Sequence, residues 1–214
     1  VALQSTRLYL VRHAQTDWNA TGRFQGQTDV PLNAQGLRDC AEARKSAQDL
    51  PLTAAYTSPL LRARQSAEAL LEDRGLALQE RPALMELHLG ELEGMYATEA
   101  RERFAHILKQ WKEAPTSVHM PGGESLVEVQ TRVSKCVQEI VEQNPGGTVL
   151  IVAHGFALLS FVCHVLQLPL DNFRHLHLDH LGLTQVDCIE DRMVLRRFNA
   201  PMVEGAMPNY HLPA

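Results

Sequence analysis

A chain of 214 residues, 45% hydrophobic and 21% charged, can bury a sizeable core and lies at the upper end of a single ordinary domain, expected to run over 1–214. Twenty Lys and Arg against 25 Asp and Glu leave a net charge of -5, which argues against nucleic acid or an anionic membrane surface as partner; an anionic substrate has to be met by local arginines. No stretch approaches the roughly 18 consecutive apolar residues of a membrane span, and residues 1–8 lack the basic-then-apolar order of a secretory leader, so the expected location is the cytoplasm.

Short apolar runs alternate with helical patterns, which predicts an α/β domain: a three-layer sandwich with a mostly parallel central sheet and helices on both faces. Residues 8–11 read as the first strand. Asn33 then caps a helix whose apolar face carries Leu37, Cys40, Ala41 and Ala47, and Pro51 closes it off. Residues 54–57 form a short strand; after Ser58 and Pro59 a helix runs to about Asp73, where Gly75 stops it. A further helix is expected over 98–112, followed by a loop rich in Pro and Gly. The clearest helix covers 124–143, where Leu126, Val129, Val133, Cys136, Val137, Ile140 and Val141 keep the 3-and-4 spacing of one buried face. Residues 148–153 have the continuous apolar run of a strand buried on both faces. The segment 156–168 is apolar nearly all round, as a core helix is, and 182–188 with 193–198 form a closing hairpin. The last sixteen residues carry three prolines and no clear period. Cys40, Cys136, Cys163 and Cys188 are scattered, with no C-x-x-C pair, and read as reduced, buried thiols.

Parallel sheets place ligands at the carboxyl ends of their strands, beside the point where connections diverge. Arg12-His13 and His154-Gly155 each stand immediately after a strand, so if the two strands are neighbours the histidines meet in one crevice. A neutral imidazole can attack phosphorus, and an arginine offers a planar fork of donors to phosphoryl oxygens. Arg62, in the first turn of the helix after Ser58, supplies a second guanidinium near helix amides that favour an anion, whereas Arg64 reads as a surface residue. Glu86, flanked by Met85 and Leu87, is the candidate general acid, because partial desolvation favours a protonated carboxyl; Glu91 and Glu93 read as solvated or structural. In the segment after Phe173, strand-like alternation would put His175, His177 and Asp179 on one face, a weaker metal-binding pattern for which no ligand role is expected.

These residues together resemble the histidine phosphatase superfamily, which includes cofactor-dependent phosphoglycerate mutases and many phosphatases. The motifs are Leu10-Val11-Arg12-His13-Ala14 with Trp18-Asn19, Ser58-Pro59-Leu60-Leu61-Arg62, Glu86 followed by Leu92-Glu93-Gly94, Gly123-Glu124-Ser125, and Val152-Ala153-His154-Gly155. The resemblance implies a phosphohistidine intermediate on His13, with Arg12, Arg62 and a protonated His154 binding the phosphoryl group and Glu86 donating and retrieving the proton. It also places Asn19, Gln25, Gly26 and Gly155 with the substrate-binding set, and it implies no cofactor and no metal.

Mutases of this kind carry a long insertion after the proton donor and a polar Asn after the second His-Gly. Here only a short segment separates Gly94 from Gly122, and Phe156 follows Gly155. Both departures favour a phosphatase for small phosphomonoesters. Its expected pocket is partly apolar, walled by Leu87, His88, Leu89, Gly90, Met95 and Tyr96 and lidded by a helix from Phe104 to Trp111. By overall look it is similar to bacterial broad-specificity phosphatases, with ribazole-phosphate and phosphoserine phosphatases as narrower options. Monomer and homodimer, the latter through an edge strand or the hairpin near Val194, both remain open.

Overall fold

A computed structural model describes residues 5–203. The chain runs β1 (Ser5–Arg12), α1 (Asp17–Thr21), α2 (Ala34–Gln48), β2 (Ala54–Thr57), α3 (Leu61–Leu71), β3 (Leu78–Glu80), α4 (Ala97–Arg103), α5 (Ala105–Glu113), α6 (Leu126–Gln143), β4 (Thr148–Ala153), α7 (Gly155–Val165), β5 (Gly182–Ile189) and β6 (Arg192–Pro201).

Alternation along the central strands explains the layering. In β1, Tyr9 and Val11 join one core with Leu150 and Val152 of β4, while Leu8 and Leu10 join another with Val149, Ile151 and Ala153. Both faces of the sheet are therefore apolar and both must be covered. Cys40, Ala43, Ala63, Ala67 and Leu70 of α2 and α3 close the first core. Leu126, Val129, Val133, Val137 and Ile140 of α6, with Ala157, Leu158 and Phe161 of α7, close the second. The six strands lie in the order β3-β2-β4-β1-β5-β6. The first four are parallel, β5 runs antiparallel to β1 and β6 antiparallel to β5, giving a mixed sheet.

The chain leaves β1 toward β2 by way of α2, and leaves β4 toward β5 by way of α7 on the opposite face. Connections that part in this manner open a crevice at the carboxyl ends of β1 and β4.

Four local expectations change. The buried face of α2 is Gly36, Cys40, Ala43 and Ala47, while Ala41 is exposed and Leu37 is 50% exposed. A Cβ on Gly36 would collide with the Gln15 carbonyl, so the helix turns in its smallest side chains to sit close to the loop after β1. The helix expected over 98–112 is two, α4 and α5, because Phe104 adopts φ -127 and ψ 31 between them. Helix α6 starts at Leu126, where Ser125 and Glu128 form a reciprocal capping box. Strand β3, three residues long, carries no readable alternation. Of the proline-bearing end, β6 continues to Pro201, and residues 204–214 lie outside the described residues.

All four cysteines are buried and unpaired, and burial pushes the thiols of Cys40 and Cys188 up to about 11, so neither is a ready thiolate. Among the described residues no helix is long and apolar enough to cross a membrane.

Candidate active site

The ladder between β1 and β4 pairs Arg12 with Ala153, so the residues that follow, His13 and His154, emerge side by side. The His13 N–H donates to the Ala153 carbonyl at 2.9 Å, and the two imidazole centroids are 5.1 Å apart. His13 is 3% exposed. Its Nδ1 lies 2.7 Å from the Ala14 carbonyl, an acceptor only, so Nδ1 carries the proton and Nε2 keeps its lone pair. Burial, reinforced by Arg62, His154 and Arg12, holds His13 well below the usual histidine range. It is a neutral imidazole with a defined nucleophilic nitrogen.

His154 is fully buried, with Nε2 2.7 Å from the Ser58 hydroxyl. That hydroxyl accepts the Leu60 N–H at 3.2 Å and has its own hydrogen to give to Nε2, the tautomer in which Nδ1 carries the proton. Nδ1 is left as the donor, and it has no partner. Burial first, then the charges of Arg62, Arg132 and Arg12, push His154 well below the usual range. The imidazolium expected from sequence is therefore replaced by a neutral donor.

Arg62 is fully buried; its Nη1 donates to the Thr28 carbonyl at 2.9 Å and its Nη2 to that of Gly26 at 2.6 Å. Burial lowers it to about 10, which still leaves it charged at neutral pH. Arg12 donates from Nη1 to the Leu178 carbonyl at 2.6 Å. Among the described residues five buried side-chain nitrogen or oxygen atoms lack a partner, and four are Arg12 Nε, Arg62 Nε, His154 Nδ1 and His180 Nε2. Each buried polar atom left unsatisfied costs about 1–3 kcal/mol; the two guanidinium Nε atoms are donors in any state, and with the two imidazole nitrogens they surround His13 as the lining of a pocket suited to an anion.

Glu86, largely buried, faces this pocket from the segment between β3 and α4. Its Oε1 accepts the N–H of Leu87 at 2.9 Å and of Ala157 at 3.1 Å, and its Oε2 accepts that of Phe156 at 3.1 Å. The α7 amides thus bind a protein carboxylate. Oε2, which accepts a single N–H, keeps a lone pair free. A Cβ on Gly155 would lie 3.7 Å from both Arg12 Nε and Glu86 Oε2, which locates Gly155 between the two.

Other predicted residues act at one remove. Asn19 Oδ1 accepts the Thr16 N–H at 3.1 Å and its hydroxyl at 3.0 Å, as the capping box of α1, and Gln25 Oε1 lies 2.9 Å from the same hydroxyl. Gly26, at φ 55, has no room for a Cβ against the Glu93 carboxylate and holds Arg62 through its carbonyl. Glu93 is structural: it accepts from Gln27 N, Leu89 N and the Thr28 hydroxyl at 2.9, 3.0 and 2.6 Å. The rings of Trp111, Phe156 and Phe173 pack pairwise at 5.7 Å, and Trp111 is buried, so the helix expected as a lid is anchored in the core. His175 ends a 3-10 turn rather than lying on a strand, His177 pairs with Asp179 at 2.9 Å, and among the described residues no three metal-ligating side chains converge.

Sequence reasoning missed three contributors. Ser58 was quoted in a motif without a role. Arg132 of α6 donates to the carbonyls of Ala83, Met85 and Glu86 and to both oxygens of Glu124, clamping the backbone of Glu86, yet one arginine on a helix gives no sequence signal. His180 is given no role by the sequence. Because β5 pairs antiparallel to β1 with Leu183 opposite Val11, residues just before β5 reach the sheet edge where His13 stands, and that pairing is the signal that finds it.

The sequence model of the histidine phosphatase superfamily (branch 1) matches residues 8–201. "Phosphoserine phosphatase 1" of Hydrogenobacter thermophilus is 31% identical over 196 residues, covering 90% of this chain and 92% of that protein. "Probable phosphoglycerate mutase GpmB" of Escherichia fergusonii is 32% identical over 208 residues, covering 97% and 95%. Among solved structures, Bacillus stearothermophilus YhfR superposes with a TM-score of 0.87 at 32% identity, covering 94% of this chain and 98% of its own. The chain belongs to the histidine phosphatase superfamily. Within it, the relatives are phosphatases and mutases, and phosphatase or mutase chemistry is the activity of this chain at that level.

Proposed function

We propose that the chain is a phosphomonoesterase that hydrolyses small phosphorylated metabolites through a phosphohistidine on His13. One observation carries the reading: Nδ1 of His13 is committed to the Ala14 carbonyl, so the free lone pair at Nε2 shares its pocket with unsatisfied donors from Arg12, Arg62 and His154. Nε2 attacks phosphorus, the bond to the ester oxygen breaks, and protonated Glu86 gives its proton to the departing alcohol. Glu86, now a carboxylate, takes a proton from water; the water oxygen bonds to phosphorus, the P–N bond breaks and phosphate leaves. Charge on the equatorial oxygens is met by the two guanidiniums and the His154 N–H.

Water is favoured over a second hydroxyl as acceptor because Phe156, packed edge-on against Trp111 and Phe173, stands beside Glu86 where a polar residue would bind a second anionic substrate group. The relatives named above divide between the two chemistries, so the test is direct. A panel of phosphomonoesters is assayed, including p-nitrophenyl phosphate, phosphoserine, and 3-phosphoglycerate with bisphosphoglycerate. Phosphate release that persists in a chelator and disappears in His13→Ala is the expected result. Isomerisation outrunning phosphate release overturns it.

A further inference from the structure

His180 holds a buried Nε2 with no hydrogen-bond partner, and its ring centroid is 5.8 Å from that of His13. The segment that carries it is built around Arg12. Leu178 accepts from Arg12 Nη1 at 2.6 Å, and Leu181 N–H donates to the Arg12 carbonyl at 2.9 Å, so His180 sits in a loop tied at both ends to the phosphate-binding arginine. The loop is rigid as well as tied. Asp179 N–H donates to Asn199 Oδ1 at 2.9 Å, Asn199 Nδ2 donates back to Asp179 Oδ2 at 2.8 Å, and Gly182 N–H donates to the Asp179 carbonyl at 3.1 Å. Leu181, buried and not a glycine, is held at φ 56, and a Cβ on Gly182 would strike the Asn199 amide. Left-handed backbone at a bulky residue persists only where surrounding structure over-determines it, and such strain gathers at sites of function.

We propose that His180 is a further ligand of the transferring phosphoryl group, donating from Nε2 to one of its oxygens beside Arg12. This deepens the phosphomonoesterase reading and rests on it. The groups facing the imidazole agree with a donor role: Arg12 and His177 oppose a positive charge there, and burial and those neighbours depress it to about 2, so His180 acts as a neutral N–H and adds no cation to two guanidiniums. A histidine kept only for packing would gain from having its unpartnered nitrogen replaced by carbon. A phosphoryl ligand would lose anion affinity by the same change.

Orthovanadate and inorganic phosphate are titrated calorimetrically into the wild-type protein and into His180→Ala, His180→Phe and His180→Gln. Removal of the donor in the Ala and Phe variants is expected to weaken vanadate binding by roughly 10- to 100-fold, the value of a hydrogen bond to a charged group. Gln, whose Nε2 reaches a similar position, recovers most of that loss. The Phe variant keeps the ring volume, and its thermal midpoint without ligand equals or exceeds wild type. The rate of phosphate release falls by the same factor for p-nitrophenyl phosphate and for an alkyl phosphate. A folded Phe variant that binds vanadate as tightly as wild type overturns the proposal, and so does a loss confined to one leaving group. Wild-type protein that binds neither anion overturns the underlying phosphomonoesterase reading instead.

Discussion

The Ser58 hydroxyl lies 2.7 Å from Nε2 of His154, where giving its hydrogen to that nitrogen leaves Nδ1 to present one to the pocket. In Ser58→Ala the proton is free to move to Nε2, and part of the population then turns a lone pair toward phosphoryl oxygen. We expect about a tenfold fall in kcat with a smaller change in KM, a fraction of the roughly hundredfold value of one donor to developing charge because only part of the population loses it. Nitrogen-15 shifts of His154 check the cause: Nδ1 is protonated in wild type and mixed in the variant. Unchanged kcat with a changed tautomer refutes the role given to Ser58.

Stability should fall on mild acidification. His13 and His154 are held well below the ordinary value of 6.5 by burial and nearby arginines, and His180 is depressed to about 2. Above pH 6.5 folded and unfolded chains are alike in these groups. Below it the unfolded chain takes up protons that the fold refuses, and each group adds a slope approaching about 1.4 kcal/mol per pH unit until its folded value is reached. Together the three lower unfolding stability by up to about 6 kcal/mol between pH 7 and pH 5. Urea midpoints at pH 7, 6 and 5 measure this, and His180→Gln should flatten the dependence. A flat wild-type profile contradicts neutral histidines.

Arg132 and Glu124 form a partly buried pair, with Nε and Nη2 of the arginine at 2.9 Å from the two carboxylate oxygens. Removing the guanidinium strands Glu124 and three carbonyls, so Arg132→Ala is expected to cost about 3–5 kcal/mol in denaturant unfolding. In a folded Arg132→Lys variant kcat should fall more than KM rises, because the residue that loses its clamp is Glu86. Parallel loss in binding and turnover would place the arginine's effect elsewhere.

Much of the sheet is legible from sequence because its strands are local and strongly apolar: Thr148–Ala153 is five-sixths buried, and its run of apolar residues says so. What is not legible depends on contacts far apart in the chain. His13 and His154 meet only because Arg7 pairs with Thr148 and the ladder continues to Arg12. The downward shift of His154 comes from its burial and then from three arginines on separate elements, and the break at Phe104 carries neither Pro nor Gly to announce it. The buried face of α2 was misread for a different reason: hydrophobicity pointed to Leu37, while close approach to Gln15 selected Gly36.

That last correction is itself testable. Gly36→Ala drives a methyl into the Gln15 carbonyl and is expected to destabilise by about 1–3 kcal/mol. Leu37→Ala, at an exposed position, should stay within about 0.5 kcal/mol of wild type. Reversed magnitudes in thermal or urea unfolding would restore the leucine face.

The Arg12-to-Ala153 pairing separates two kinds of heritable change. His13, the proposed nucleophile, and its companion His154 are set by the hydrogen-bond ladder of two buried strands, where a slip of one residue would turn every side chain to the wrong layer. Glu86, the proposed general acid, belongs to the long excursion between β3 and β4 and reaches the pocket through the amides of Phe156 and Ala157. Substitutions along that excursion can retune which ester is accepted while the phosphorus chemistry stays as it is, so relatives with different substrates need not differ at the strands.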